Sequence, residues 1–175
     1  MTTNSITASE AGKVSPLAGP VFRLKKILVP TDFSKASTKA LTYAQAFAKQ
    51  SAAEILLLHV VEPANYPIYG ADIVPDWGGM QTELLKASQV HLEEFSRKHA
   101  AGFAPMQVIV GEGIAWGEIV ETAKKETVDL IILSTHGRSG LRHILLGSTT
   151  ERVVRHASCP VLTVRERERE FVNQD

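Results

Sequence analysis

Five short runs of almost unbroken apolar residues constrain this chain more than any other feature. They are Lys26-Ile27-Leu28-Val29-Pro30, Glu54-Ile55-Leu56-Leu57-Leu58-His59-Val60-Val61, Met106 to Val110, Asp129-Leu130-Ile131-Ile132-Leu133 and Val161-Leu162-Thr163-Val164. A strand with one face in water alternates polar and apolar residues, whereas a strand that is apolar throughout must be covered on both faces. Between the runs lie stretches suited to helices, at about Ser34 to Gln50, Met80 to Ala100, Glu118 to Lys125 and Thr149 to Ala157. Regular alternation of strand and helix implies parallel strands joined by right-handed crossovers. The expected fold is therefore α/β: a single doubly wound, five-stranded parallel sheet in the order 3-2-1-4-5, Rossmann-like, with helices on both faces.

A length of 175 residues fits one such domain. Residues 1–23, rich in Ser, Thr, Ala and Gly, lack the apolar core of a signal peptide and are expected to be a flexible extension. Residues 24–165 are expected to form the domain, and 166–175 a charged tail. Lys plus Arg and Asp plus Glu both total 19, so no basic footprint points to nucleic acid or an acidic membrane. No apolar run is long enough to span a bilayer. The one cysteine, Cys159, has no internal partner, and no Cys/His cluster has zinc-ligand spacing, which favours a reducing, cytoplasmic setting.

In doubly wound sheets, ligands bind beyond the carboxyl ends of the strands, where the winding reverses. With this strand order the reversal lies between strands 1 and 4. The unusual segments stand there: Pro30-Thr31-Asp32-Phe33-Ser34 after the first strand and Ser134-Thr135-His136-Gly137-Arg138-Ser139-Gly140 after the fourth. Each could also be an ordinary β-to-α turn. Gly137 lets the backbone curl, and Gly147 permits close approach just before a helix. Ser148-Thr149-Thr150-Glu151 reads as a capping box with Ser148 at the N-cap, so unpaired amides converge on a site suited to phosphate. Asp32 fits either an acceptor for ribose hydroxyls and an adenine amino group or a helix cap, with Ser34 also available to cap. Val60, at the end of strand 2, offers backbone groups to a base edge.

These segments resemble the universal stress protein family. The resemblance runs from about Leu24 to Arg165 and rests on Ile27 to Ser34, on Leu58-His59-Val60, and on Ser134-Thr135-His136-Gly137 through Gly147-Ser148, followed by Cys159-Pro160-Val161-Leu162. The nucleotide-binding branch carries Gly-x-x-Gly, nine residues, then Gly-Ser or Gly-Thr. Gly137, the nine residues Arg138 to Leu146, and Gly147-Ser148 match it, while Ser134 replaces the first glycine. The resemblance implies that Asp32 and Val60 meet the adenosine of ATP and that Gly137, Gly147, Ser148 and Thr149 surround its phosphates. Pro30, Leu133 and Ser134 complete the expected lining. Arg138 and His136 are either phosphate contacts or ordinary loop residues. Any Mg²⁺ is expected to arrive on the nucleotide. The resemblance also implies a homodimer through the edge strand Val161 to Val164, which the tail could extend.

Rival motifs are weaker. Gly111-Glu112-Gly113-Ile114-Ala115-Trp116-Gly117 has one residue too many for a dinucleotide fingerprint and follows the wrong strand. Walker A, the Gly-x-Ser-x-Gly elbow and the Ser-Gly-Gly-x-Asp-Ser pyrophosphatase loop are absent. The expected activity is nucleotide sensing or storage in a stress response, with slow hydrolysis at most. The alternatives are a nucleotide-free dimeric module of the same fold and an ATP-using transferase or hydrolase.

Overall fold

The computed structural model describes residues 23–63, 77–100, 106–135, 146–169 and 172. Their elements run β1 (Lys26–Pro30), α1 (Lys35–Ser51), β2 (Glu54–Val61), α2 (Trp77–His99), β3 (Met106–Glu112), α3 (Ala115–Lys125), β4 (Leu130–Ser134), α4 (Ser148–His156) and β5 (Val161–Val164). All strand pairs are parallel, in the order β3-β2-β1-β4-β5. The expected sheet is thus the observed one. Only element ends differ: α2 starts three residues earlier than its apolar pattern suggested, and α3 begins at Ala115.

Alternate residues of each strand point to opposite sides, so two cores form. Ile27, Val29, Ile55, Leu57 and Ile132 pack under α1 and α2, with Ala40, Ala44 and Leu92 supplying the helix side. Leu28, Leu56, Leu58, Ile131 and Leu133 pack under α3 and α4, through Ile119, Ala123 and Val153. Burying a large aliphatic side chain contributes about 1.5–3 kcal/mol, which explains why the central strands carry no polar face. The small residues of α1 bring that helix close to the sheet; Ala40 and Ala44 are fully buried.

At the amino end, β1 and β4 are fastened. Asp129 Oδ2 accepts from Lys25 N (2.7 Å) and Lys26 N (2.9 Å). These two bonds hold its carboxyl below the usual carboxylate range. At the carboxyl end the two strands part. Their ladder pairs only Ile27 with Leu130 and Leu28 with Ile131, whereas β1 pairs with β2 along its whole length. Pro30 has no N–H with which to prolong a ladder.

Beyond β5 the chain does not continue as a strand. The Glu166 carbonyl accepts from Lys39 Nζ of α1 (3.3 Å), and Val172 packs against the α1-side core. Among the described residues of the tail, Glu166 and Val172 therefore lie on the α1 side of the sheet. Among the described residues no helix is long and apolar enough to cross a membrane.

Candidate functional site

Where β1 and β4 part, the described walls enclose a crevice of about 240 Å³. The turn after β1 forms one wall. Thr31 N donates to the Leu58 carbonyl (2.8 Å), which carries the β1–β2 ladder one residue past the strand. Thr31 Oγ1 then receives Phe33 N (3.0 Å) and lies 3.1 Å from Ser37 Oγ. Asp32 Oδ1 accepts from Ser34 N (3.1 Å). Ser34 caps α1, its Oγ accepting from Ser37 N (3.1 Å). Asp32 thus fills neither role alone: it braces the turn and lines the crevice, while Ser34 does the capping.

The opposite wall is the start of α4. Gly147 N donates to the Thr135 carbonyl (2.9 Å), and Thr150 Oγ1 donates to the Ser134 carbonyl (2.9 Å), stitching the helix to the end of β4. Gly147, not Ser148, is the N-cap: its carbonyl receives Glu151 N (2.9 Å), the first intrahelical bond, and Ser148 is already helical. The expected capping box is therefore displaced by one residue, and its N-cap, a glycine, has no side chain with which to cap α4. The cause is the Gly147–Thr135 contact, which fixes where the helix begins. Gly147 has an ordinary φ of −64°, so its need for glycine is spatial: a Cβ there would stand 3.0 Å from the Thr135 carbonyl oxygen.

The floor comes from β2 and α3, with Leu58, His59, Val60, Ala115 and Ile119. His59 Nδ1 lies 2.8 Å from the Thr31 carbonyl; a carbonyl can only accept, so Nδ1 carries the proton in this bond. At the rim, Ala115 N donates to Glu62 Oε1 (3.0 Å), so a carboxylate from the end of β2 caps α3.

Pro30, Asp32, Val60, Leu133, Ser134, Gly147, Ser148 and Thr149 all line this one crevice. Gly137, Arg138 and His136 lie outside the described residues. Sequence reasoning missed the buried Thr31, Ser37, Thr135 and Thr150: the first two meet within the β1 wall, and the Thr135 carbonyl and the Thr150 hydroxyl fasten α4 to β4. Spacing carries no signal for them, because Ser and Thr are common in any turn. The Gly111–Gly113 loop does not line the crevice; Gly113, at φ 143°, turns against Glu118 instead. Cys159 also lies elsewhere, and burial pushes its thiol up, away from the reactive thiolate.

Chemically the site is asymmetric. Among its described lining residues, Asp32 is the one carboxylate and there is no Lys or Arg. Acceptors stand on the β1 wall. On the α4 wall the amides of the first turn, the Ser148 and Thr149 hydroxyls and the positive end of the helix dipole all favour negative charge. No group of His, Cys, Asp and Glu among the described residues could hold a metal ion.

Comparison with known proteins gives a consistent result. The model of the universal stress protein family matches residues 23–165. A universal stress protein of Methanocaldococcus jannaschii is 36% identical over 146 residues, spanning 83% of this chain and 85% of that protein. The solved structure of universal stress protein UspA from Lactobacillus plantarum matches at a TM-score of 0.69 and 30% identity, over 83% of this chain and all of that one. An Arabidopsis thaliana universal stress protein family member solved with AMP bound matches at a TM-score of 0.54 and 25% identity, over 82% of this chain and 92% of that one.

Proposed function

Since this chain belongs to the universal stress protein family, we propose that its crevice binds an adenine nucleotide, ATP in particular, and that binding is its activity. The observation that carries this reading is the pairing of the two walls. The start of α4, with a glycine at its N-cap, offers donors to phosphate, and Asp32 offers an acceptor to ribose hydroxyls or an amino group on the β1 side. Bound AMP in the Arabidopsis relative supports the same ligand class. Three or four hydrogen bonds to charged oxygens, at about 1.5–3 kcal/mol each, together with base burial approach the roughly 8 kcal/mol of micromolar affinity before the cost of ordering the ligand is deducted. Gly137 and Arg138 join the phosphate side in this reading.

Mg²⁺ would come with the nucleotide, because a lone carboxylate is a poor magnesium site and phosphate oxygens are good ligands. Hydrolysis would be slow. The imidazole on the floor commits its Nδ1 to the Thr31 carbonyl, and no described lining residue forms an arginine clamp. The chain would act as a cytoplasmic stress-response regulator read through its nucleotide state. It would pair with a second copy along β5, an edge strand with β4 as its one neighbour.

The test is to denature purified protein, identify released small molecules by mass spectrometry, and titrate ATP and AMP against stripped protein by calorimetry. Saturable micromolar binding is expected. Finding neither bound nucleotide nor saturable binding would overturn the reading and leave a nucleotide-free module of the same fold.

A further inference from the structure

Phe33 is the strained residue beside the crevice. Its φ of 65° lies in the left-handed region, which a bulky aromatic residue occupies only when its surroundings hold it there. Backbone bonding supplies part of the hold, through Phe33 N to Thr31 Oγ1 and Ser34 N to Asp32 Oδ1. The rest is a slot of rings. His91 of α2 stacks on Phe33 with centroids 4.0 Å apart and planes at 16°. His59 of β2 stands 4.5 Å away, tilted by 41°, and Phe95 meets the ring edge-on at 5.5 Å. His59 is itself fixed by its bond to Thr31. Three rings from two elements, β2 and α2, thus converge on one side chain, and the residue before it is Asp32.

We infer that Phe33, gripped between His59 and His91, is a positioning residue that sets the Asp32 carboxylate on the crevice wall and thereby governs recognition of the nucleoside half of the ligand. The inference rests on the nucleotide reading of the crevice. The left-handed backbone at Phe33 turns the chain so that Asp32 Oδ1 reaches Ser34 N while the carboxylate still lines the crevice. Without the ring slot only the two turn hydrogen bonds oppose the backbone strain, and the turn relaxes. The phosphate side is insulated from this change, because the start of α4 is tied to β4 through Thr135 and Ser134. His91 is exposed, so this wall of the slot can be removed without opening the core.

The variants are Phe33→Ala, His91→Ala and His91→Phe. Alanine keeps the cost of a left-handed φ and loses the ring, so the first removes the grip and leaves the strain. AMP and inorganic tripolyphosphate are titrated by calorimetry, and hydrogen exchange of the Ser34 amide is followed without ligand. AMP affinity is expected to fall about tenfold in Phe33→Ala and about threefold in His91→Ala, the scale of lost ring contacts, with His91→Phe restoring it. Tripolyphosphate affinity is expected to stay within about twofold throughout. The Ser34 amide should exchange faster in the first two variants and recover in the third. Unchanged AMP affinity in both, equal losses for AMP and tripolyphosphate, or an unresponsive Ser34 amide would overturn the inference. Wild-type protein that binds no AMP while its Ser34 amide still responds would sink the nucleotide reading and leave the clamp standing.

Discussion

The starts of α1 and α4 hold equivalent places on either side of the switch point, yet they are built in opposite ways. The first is closed on itself: Ser34 caps α1, Asp32 braces Ser34, and Thr31 bonds both Phe33 and Ser37. The second has a glycine at the N-cap, which brings no side chain of its own to the first-turn amides of α4. A helix start that satisfies its own donors has little left for a ligand, whereas one that does not retains both its amides and its dipole. The fold supplies two like positions, and the residue at each N-cap decides which is available to an anion.

The strongest way to break this contrast is at Gly147. Gly147→Val places a Cβ 3.0 Å from the Thr135 carbonyl, against backbone that cannot rotate away, so the start of α4 must shift from β4. Losing about two charged hydrogen bonds, roughly 3 kcal/mol or more, should weaken ATP binding on the order of 100-fold. Calorimetry checks the affinity and circular dichroism the fold. The obstruction differs from the one glycine-rich cradles suggest, since the Cβ meets the protein's own carbonyl. Retained affinity would mean that α4 does not hold the phosphates.

The contrast also shows what could be read in advance. The doubly wound parallel sheet followed from runs such as Leu56-Leu57-Leu58, because covering both strand faces leaves few architectures, and the expected order is the observed one. The crevice followed from the order. Ser34 and Ser148 looked alike in sequence, each a serine before a helix, and only one is a cap. What separates them is a contact between residues far apart in the chain, Gly147 N to the Thr135 carbonyl, which no local pattern encodes. The Glu62 cap on α3 was illegible for the same reason: its carboxylate reaches Ala115 across 53 positions. Phe33 carried a weak clue, because Asp32 and Ser34 are turn formers. Its left-handed backbone, however, depends on rings from β2 and α2.

Ser34→Ala probes the closed turn. Removing the cap should cost about 1 kcal/mol of stability, read as a lower urea midpoint with unchanged slope. Because Ser34 is occupied within the turn, tripolyphosphate affinity should change by less than about twofold. A large loss of phosphate affinity would show that the two turns share the anion, and the division of labour would be wrong.

The smallest effect belongs to the third helix start at this end of the sheet. The α3 amides also face the crevice, through Ala115, but the Glu62 carboxylate sits on them. Glu62→Gln keeps an oxygen that can accept from Ala115 N and removes the charge. The dipole contribution at the α3 start, about 0.3–1 kcal/mol, should largely be lost, lowering stability slightly. ATP affinity should move the other way, rising about twofold to threefold at low salt, because a negative charge leaves the rim of a site for an anion. That gain should fade by about 0.5 M salt, where charges separated by more than a few ångströms are screened. An unchanged affinity at every salt concentration would mean that Glu62 acts on α3 alone. A rise that persists in high salt would instead mean that the ligand contacts the α3 start directly, and α4 would no longer be the one anion-binding helix start of the crevice.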